Sequence, residues 1–228
     1  MVTPTPDAFI HWTKRHPQTV AFLSKLNNQG IDWGLYCGTT AQLLTGNRQS
    51  NDVDIVIRNS DFQTVRELAP ANATIHQDDT ATVTCGDGLT LNFPKHSICF
   101  WLDGQEIEII ASTTASSDNH QYHVAMSDLA IQNRLMFEVG KTQLYVINPF
   151  DTMALKAILQ RGYSMRKHDA TDIASLGKHY SPSTIYALRR TREMQLDDRA
   201  LDFLAMCNIE LASTPVQTTP SRGILHAY

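Results

Sequence analysis

The chain is poor in paired cysteines, in long apolar runs and in repeats, and each shortage narrows what it can be. Cys37, Cys85, Cys99 and Cys207 are scattered through 228 residues with no C-x-x-C pair. That argues against a zinc ribbon or a disulfide framework and fits reduced thiols in the cytoplasm. No apolar stretch approaches the ~20 residues of a spanning helix. The opening MVTPTPDAFIHWTKRHP lacks the basic start and apolar core of a secretory signal. There is no internal repeat and no low-complexity tract. What remains is 42% apolar and 18% charged, the balance of an ordinary soluble globular protein with room for one large domain or two small ones.

Charge is uneven along the chain. Residues 1–155 sum to −7, residues 156–192 to +6 and residues 193–228 to −3, within a net −4. The basic block is expected to meet something anionic, or the acidic half of its own chain.

Residues 18–29, QTVAFLSKLNNQ, carry Val20, Leu23 and Leu26 on one stripe before Gly30, which predicts an amphipathic helix. WGLYC reads as a strand, TAQLL as a short helix after Gly38, and DVDIVI as a strand. Ser60 is expected to cap a helix over DFQTVREL. Three hairpins are predicted: TATVTC-GDG-LTLNF, SICFWL-DG-QEIEII and RLMFEV-GK-TQLYVI, the second with the Asp-Gly that suits a primed turn. From Asp151 the texture is helical, with four segments and Pro182 at the first position of the third. The expected fold class is α/β: a mixed sheet with flanking helices over 1–150, a helical region over 151–212, and a loose tail over 213–228.

One stretch carries chemistry. In NDVDIVI, Asp52 and Asp54 share one face of a strand, about 6–7 Å apart, while Val53, Ile55 and Ile57 face the other way. Two such close carboxylates disfavour each other's ionisation, and a divalent cation held with substrate phosphates removes the conflict. Upstream, Gly38 opens a turn into a helix start whose N–H groups, with the Thr39 and Thr40 hydroxyls, suit a phosphate. Arg48 lies between, a candidate phosphate clamp. A third acid is available in QEIEII, where Glu106 and Glu108 also share a face.

These residues resemble the nucleotidyltransferase superfamily of the polymerase-beta type: a Gly turn, Asp-x-Asp on a strand, and an acid on a later strand. GNRQSNDVDIVI is similar to the G-x-R-x-S-x-D-(I/V)-D run of small bacterial members, the abortive-infection toxins of toxin–antitoxin pairs and the drug-modifying enzymes. INPFDTMALKAILQRGYSMRKHDATDIASL is similar to their downstream segment. The resemblance spans roughly residues 31–180. It departs in having Cys37 where Gly-Gly is frequent and Glu in place of the commoner third Asp.

The resemblance implies Mg²⁺ or Mn²⁺ on Asp52, Asp54 and Glu108 (preferred over Glu106), and a nucleoside triphosphate held by Gly38, Thr39, Thr40, Arg48, Lys156 and Arg161. It implies transfer of a nucleotide to an acceptor hydroxyl on RNA such as a tRNA end, on a drug or on a protein. A non-catalytic nucleotide-binding protein of the same fold is the alternative. Simpler roles stand beside these. Arg48 can pair with Asp61 or another surface acid, Lys156 can be a solvated helix lysine, and Asp169 and Asp172 can serve a helix start. His120 and His123 read as loop residues, and Trp33, Phe100 and Trp101 as core or as stacking partners for a base.

Overall fold

The computed structural model describes residues 6–209 apart from 47, 112, 113, 125 and 182, and the backbone only at 78. Nine strands among them form one mixed sheet. The chain opens with two helices, α1 (Asp7–Arg15) and α2 (Pro17–Asn28), and then enters strand β1 (Trp33–Tyr36), helix α3 (Cys37–Thr45) and strand β2 (Asp52–Ile57). Leu23 and Leu26 of α2 are fully buried, and Gly30 ends that helix in the left-handed region, as the stripe and its glycine predict. α1 has no counterpart in the sequence reading. Pro17 starts α2 directly after it, where the missing N–H is harmless.

A short helix, α4 (Phe62–Leu68), leads into β3 (Thr74–Thr84), β4 (Thr90–Leu102) and β5 (Gln105–Ala111). Ser60 does not cap α4; it lies inside a preceding 3-10 turn, and no side chain caps the helix. The first two expected hairpins merge, because LTLNF and SICFWL are one continuous strand, β4, that pairs with β3 and β5. The β4–β5 turn has Asp103 and Gly104 both at positive φ, the primed geometry that Asp-Gly favours. Two short strands, β6 (Thr114–Ser116) and β7 (Gln121–His123), and a one-turn helix, α5 (Asp128–Gln132), follow. Then come the third hairpin, β8 (Leu135–Val139) with β9 (Thr142–Val146), and the helices α6 (Pro149–Leu159), α7 (Asp169–His179), α8 (Thr184–Met194) and α9 (Asp198–Met206).

At the sheet's centre β2 runs antiparallel to β1 and parallel to β5, and β1 runs parallel to β9. Val53, Ile55, Ile57, Ile107, Ile109 and Ala111 of β2 and β5 are fully buried on one face. Alternation therefore puts Asp52, Asp54, Glu106 and Glu108 on the other. α3 packs against α6 and α7, and α6 against α8 and α9. The larger apolar core draws on residues from Phe9 to Ile209, and a smaller cluster holds Tyr36, Val56, Met126 and Ile147. The expected tail and Pro182 lie outside the described residues. No described helix is long and apolar enough to cross a membrane.

Candidate functional site

The parallel register of β2 and β5 pairs Asp52 with Glu106 and Asp54 with Glu108. Asp52, Asp54 and Glu108 line a cavity of about 600 Å³; Glu106, one row further out, is exposed and does not. The pairing separates two glutamates that the sequence left side by side.

Asp54 is the group most altered by this setting. Burial, and then the neighbouring charges of Asp52 and Glu108, push its carboxyl up to about 7, against the opposing pull of Lys156 and Lys167. Asp52 is held differently: its Oδ1 accepts a 2.9 Å hydrogen bond from the Ser50 hydroxyl. Ser50 is itself fixed from two sides. Its N–H donates to Gln42 Oε1 at 2.9 Å, and its carbonyl accepts from Gln105 Nε2 at 2.8 Å. Among the described residues no group of three or more His, Cys, Asp or Glu side chains stands ready to hold a metal ion. Asp52, Asp54 and Glu108 share the cavity wall without being drawn together into a ready-made cage.

The turn beside the acids also differs in detail from expectation. α3 begins at Cys37, and it is Cys37, not Gly38, that takes the left-handed conformation, at φ 51°. Gly38 is needed for closeness: a Cβ there would lie 2.5 Å from Ser50 Oγ. Tyr36, Cys37 and Gly38 line the cavity, and no side chain caps the start of α3. Its first N–H groups are therefore suited to an anion. Burial and the Asp54 charge raise the Cys37 thiol well above its ordinary range, so it is an inert neighbour rather than a nucleophile.

Thr39 and Thr40 do not line the cavity. Both are fully buried, and their hydroxyls donate to the Asp52 carbonyl at 3.1 Å and the Leu35 carbonyl at 3.0 Å. A buried hydroxyl that bonds the backbone fixes the β1–α3–β2 unit and has no proton left for phosphate.

The expected phosphate cations are also engaged within the protein. Arg48 donates to both oxygens of Asp172, at 2.9 and 2.6 Å. Lys156, only 4% exposed, lies 3.1 Å from Asp169 and 2.9 Å from Asp172. Arg161 bonds Asp169 at 3.0 Å. Neither surface pairing for Arg48 nor solvation for Lys156 describes the result. Asp169 and Asp172 do lie in the first turn of α7, where acids suit the helix dipole, but they are buried anchors for three cations. All three cations still line the cavity, and the cluster keeps an excess of one positive charge facing the carboxylates.

Two cations that the sequence reading did not single out stand closer to what a triphosphate needs. Arg166 and Lys167 are exposed, line the same cavity and make no ion pair among the described residues. Their signal was present in the basic block but diluted by residues with other duties. Arg190, for example, is buried, with Nε 2.5 Å from Asp151 Oδ1 and a further ion pair to Glu193. His120, read as a loop residue, bonds the Gln195 carbonyl at 2.7 Å.

Trp33 and Phe100 are core, at 0% and 3% exposure, whereas Trp101 is 65% exposed.

No protein-family model matches the chain, and no curated protein does. Among solved structures it is similar to a Thermotoga maritima protein provisionally described as a nucleotidyltransferase. That match has 12% identity over 65% of this chain and 80% of the other, with a TM-score of 0.45. An antigenic nucleotidyltransferase-like protein from Paracoccidioides brasiliensis has 19% identity over 82% and 85% of the two chains, with a TM-score of 0.44. ANT(2")-Ia, solved with adenylyl-2"-tobramycin, has 8% identity over 84% and 97%, with a TM-score of 0.40. These structural neighbours are nucleotidyltransferases. Their TM-scores are all below 0.5, so function has to be argued from this chain's own side chains.

Proposed function

We propose that the chain is a metal-dependent nucleotidyltransferase, moving a nucleotide from a nucleoside triphosphate to an acceptor hydroxyl with release of pyrophosphate. The observation that carries this reading is the row Asp52, Asp54 and Glu108 on the cavity face of β2 and β5, beside the uncapped start of α3.

The donor set fits a divalent cation. Asp54 is pushed up to about 7 by burial and by two neighbouring carboxylates, a conflict that a cation between them relieves. Mg²⁺ is commonly held by one or two carboxylates plus substrate phosphates, so Asp52 and Asp54 suffice without a preformed cage. When bound, the metal would supply charge for the triphosphate and lower the pKa of the attacking hydroxyl.

The chain's own groups would do the rest. The N–H groups at Cys37 and Gly38, with Arg166 and Lys167, would orient the phosphates. Lys156, Arg161 and Arg48 would act as a fixed positive wall at longer range. Glu108, on the cavity wall, would take the proton of the acceptor hydroxyl. The acceptor's hydroxyl oxygen would then form a bond to the α-phosphorus as the bond from that phosphorus to the bridging oxygen of the β-phosphate breaks, and pyrophosphate would leave with that electron pair.

The test is incubation with each labelled nucleoside triphosphate, Mg²⁺ or Mn²⁺, and RNA, drugs or protein as acceptors. Labelled acceptor with matching pyrophosphate supports the reading. One observation favours a second reading, a nucleotide-binding protein without turnover: Thr39, Thr40, Arg48 and Lys156 are all engaged internally. Triphosphate binding without pyrophosphate release would establish it.

A further inference from the structure

The cavity that holds the acids continues beyond them. In the register of β2, β5 and β4, the row after Asp54, Glu108 and Cys99 is Val56, Ile110 and Ser97. Val56 and Ile110 line this end from the sheet, with Val83 of β3 and Phe93 of β4. Leu155 and Leu159, one turn apart on α6, line it as well. The same cavity is charged at one end and apolar at the other.

Strand order decides which substrate meets the apolar end. The strands run β1, β2, β5, β4, with β3 on the far side of β4. In the transfer reading the leaving phosphates lie at the start of α3, which follows β1 directly. Attacking and leaving oxygens stand roughly in line through the phosphorus. The attacking hydroxyl therefore arrives from the other side of Asp54, over β5, β4 and β3. Glu108 stands on β5 at that border, and a body carrying the hydroxyl would rest on Ile110, Phe93 and Val83.

Two polar groups interrupt this apolar wall. Lys95 of β4 lines the cavity and makes no ion pair among the described residues. Asp79, opposite it in register, lies 3.4 Å from His76 and does not line the cavity. Lys95 is four residues from Cys99 on the same strand, so it stands about 13 Å along β4 from the acid row. Ser97, halfway between, is only 3% exposed, and its hydroxyl has the Cys99 sulfur as partner at 4.0 Å. A gap left in a core would account for the apolar side chains alone. It would not account for an ammonium and a weakly bonded hydroxyl set among them, since polar groups are costly to leave unmet there.

Those groups select the ligand. A polycation would be repelled by Lys95, and a neutral apolar molecule would leave it unmet. A polyphosphate strand would gain little from the apolar wall. The whole cavity is about 600 Å³, within the range of a single small-molecule site, so whatever shares it with a nucleotide is compact.

We propose that the acceptor is a small hydroxy acid with an apolar body, its hydroxyl at Glu108 and its carboxylate at Lys95. The hydroxyl would lose its proton to Glu108 and become nucleotidylated, and the carboxylate would stay free as the anchor. The proposal rests on the nucleotidyltransferase reading for its chemistry, and binding tests it separately. The probes are ω-hydroxydecanoate, whose extended chain matches the span from the acid row to Lys95, its neutral counterpart decanediol and its cationic counterpart aminodecanol. Each is titrated into the full chain by calorimetry, and an α,β-methylene triphosphate with Mn²⁺ is titrated into the same proteins. The hydroxy acid should bind most tightly and the amine least, and saturating triphosphate analogue should leave hydroxy-acid binding in place. Lys95→Glu should weaken the hydroxy acid roughly 10- to 150-fold and strengthen the amine, a swap that mere loss of structure would not produce. Ala81→Trp, which sets an indole into the apolar end from β3, should abolish hydroxy-acid binding. Triphosphate affinity should be unchanged in both variants. Hydroxy-acid binding with the Lys95 swap in a protein that takes no triphosphate would support the pocket and break the transfer reading. Triphosphate binding with no preference among the three compounds, or with none of them bound, would overturn the proposal. So would displacement of the hydroxy acid by the triphosphate analogue, which would give the apolar end to the nucleoside instead.

Discussion

The acidic row on β2 and β5 and the cationic cluster beside it were both expected at the site, yet only one is free to act there. Asp52, Asp54 and Glu108 face the cavity with no cation directly bonded to any of them among the described residues. Lys156, Arg161 and Arg48 line it with each cation already paired to Asp169, Asp172 or both, the three together keeping one positive charge in excess. The difference follows from how each group is built in. A strand exposes alternate side chains whether or not a partner exists, so the acids remain in conflict. A helix lysine driven to 4% exposure must be paired, because an unpaired buried ammonium is too costly. The acids read as reactive groups, and the cations as framework.

The strongest way to break that contrast is to neutralise an acid. Asp52→Asn or Asp54→Asn should abolish nucleotidyl transfer while leaving the circular-dichroism spectrum and thermal transition intact. Transfer within a factor of two of the wild type in either variant would remove the acids from the mechanism. Glu108→Gln should act alike, and Glu106→Gln much less, since only Glu108 lines the cavity; the opposite ranking would move the role one row outward.

Next in size is the framework. Asp169→Ala leaves Lys156 and Arg161 short of a buried counter-charge, and breaking such a pair typically destabilises by about 3–5 kcal/mol. Urea unfolding should show the loss as a lower midpoint with an unchanged slope. A loss under about 1 kcal/mol would mean that the cluster behaves as a surface pair, and the contrast with the acids would fail.

The acid row was legible in the sequence because strand periodicity needs no knowledge of neighbours. One question remained there, Glu106 against Glu108, and it needed the β2–β5 register, which joins residues more than fifty positions apart. The hairpins were legible from their glycine turns. What was hidden in DNHQYH was β7, too short for an alternation signal, and in the opening segment α1, whose apolar Phe9 and Trp12 are few. The partners of Arg48 and Lys156 could not be read, because Arg48 meets Asp172 across 124 residues. Charge counting gave residues 156–192 a single sign, but burial divides them into paired cations such as Arg190 and exposed ones such as Arg166 and Lys167.

A smaller effect sharpens the comparison through pH. Asp54 is raised from 3.8 to about 7, so between those values the folded state binds more protons than the unfolded one. Stability in the absence of metal is then fullest below pH 4 as far as this group is concerned, and falls as pH rises through about 7, by a few kcal/mol at most. Mn²⁺ should reverse the fall at neutral pH, and its affinity should rise as Asp54 loses its proton. Asp54→Asn should flatten the fall. A metal-free protein whose melting temperature is the same in Asp54→Asn and wild type across that range would show that the acids do not conflict.

The smallest effect expected is at Cys37. A non-glycine residue in the left-handed region is disfavoured by roughly 1–2 kcal/mol, and Cys37 sits there at φ 51°. Cys37→Gly removes that strain. It also gives the unfolded chain more freedom, which returns roughly 0.5–1 kcal/mol, and it deletes a thiol that packs beside Asp54. The relieved strain is largely offset by the other two contributions, so the melting temperature should move by only a few degrees at most. Nucleotide affinity is the more telling readout. Cys37 lines the cavity at the start of α3, and removing its side chain opens the first N–H groups of that helix to a phosphate. Tighter triphosphate binding with an unchanged melting temperature would place the phosphates on α3, beside the acids. If affinity is unchanged while Arg166→Ala and Lys167→Ala weaken it, the phosphates instead lie across the cavity, on the exposed cations before α7.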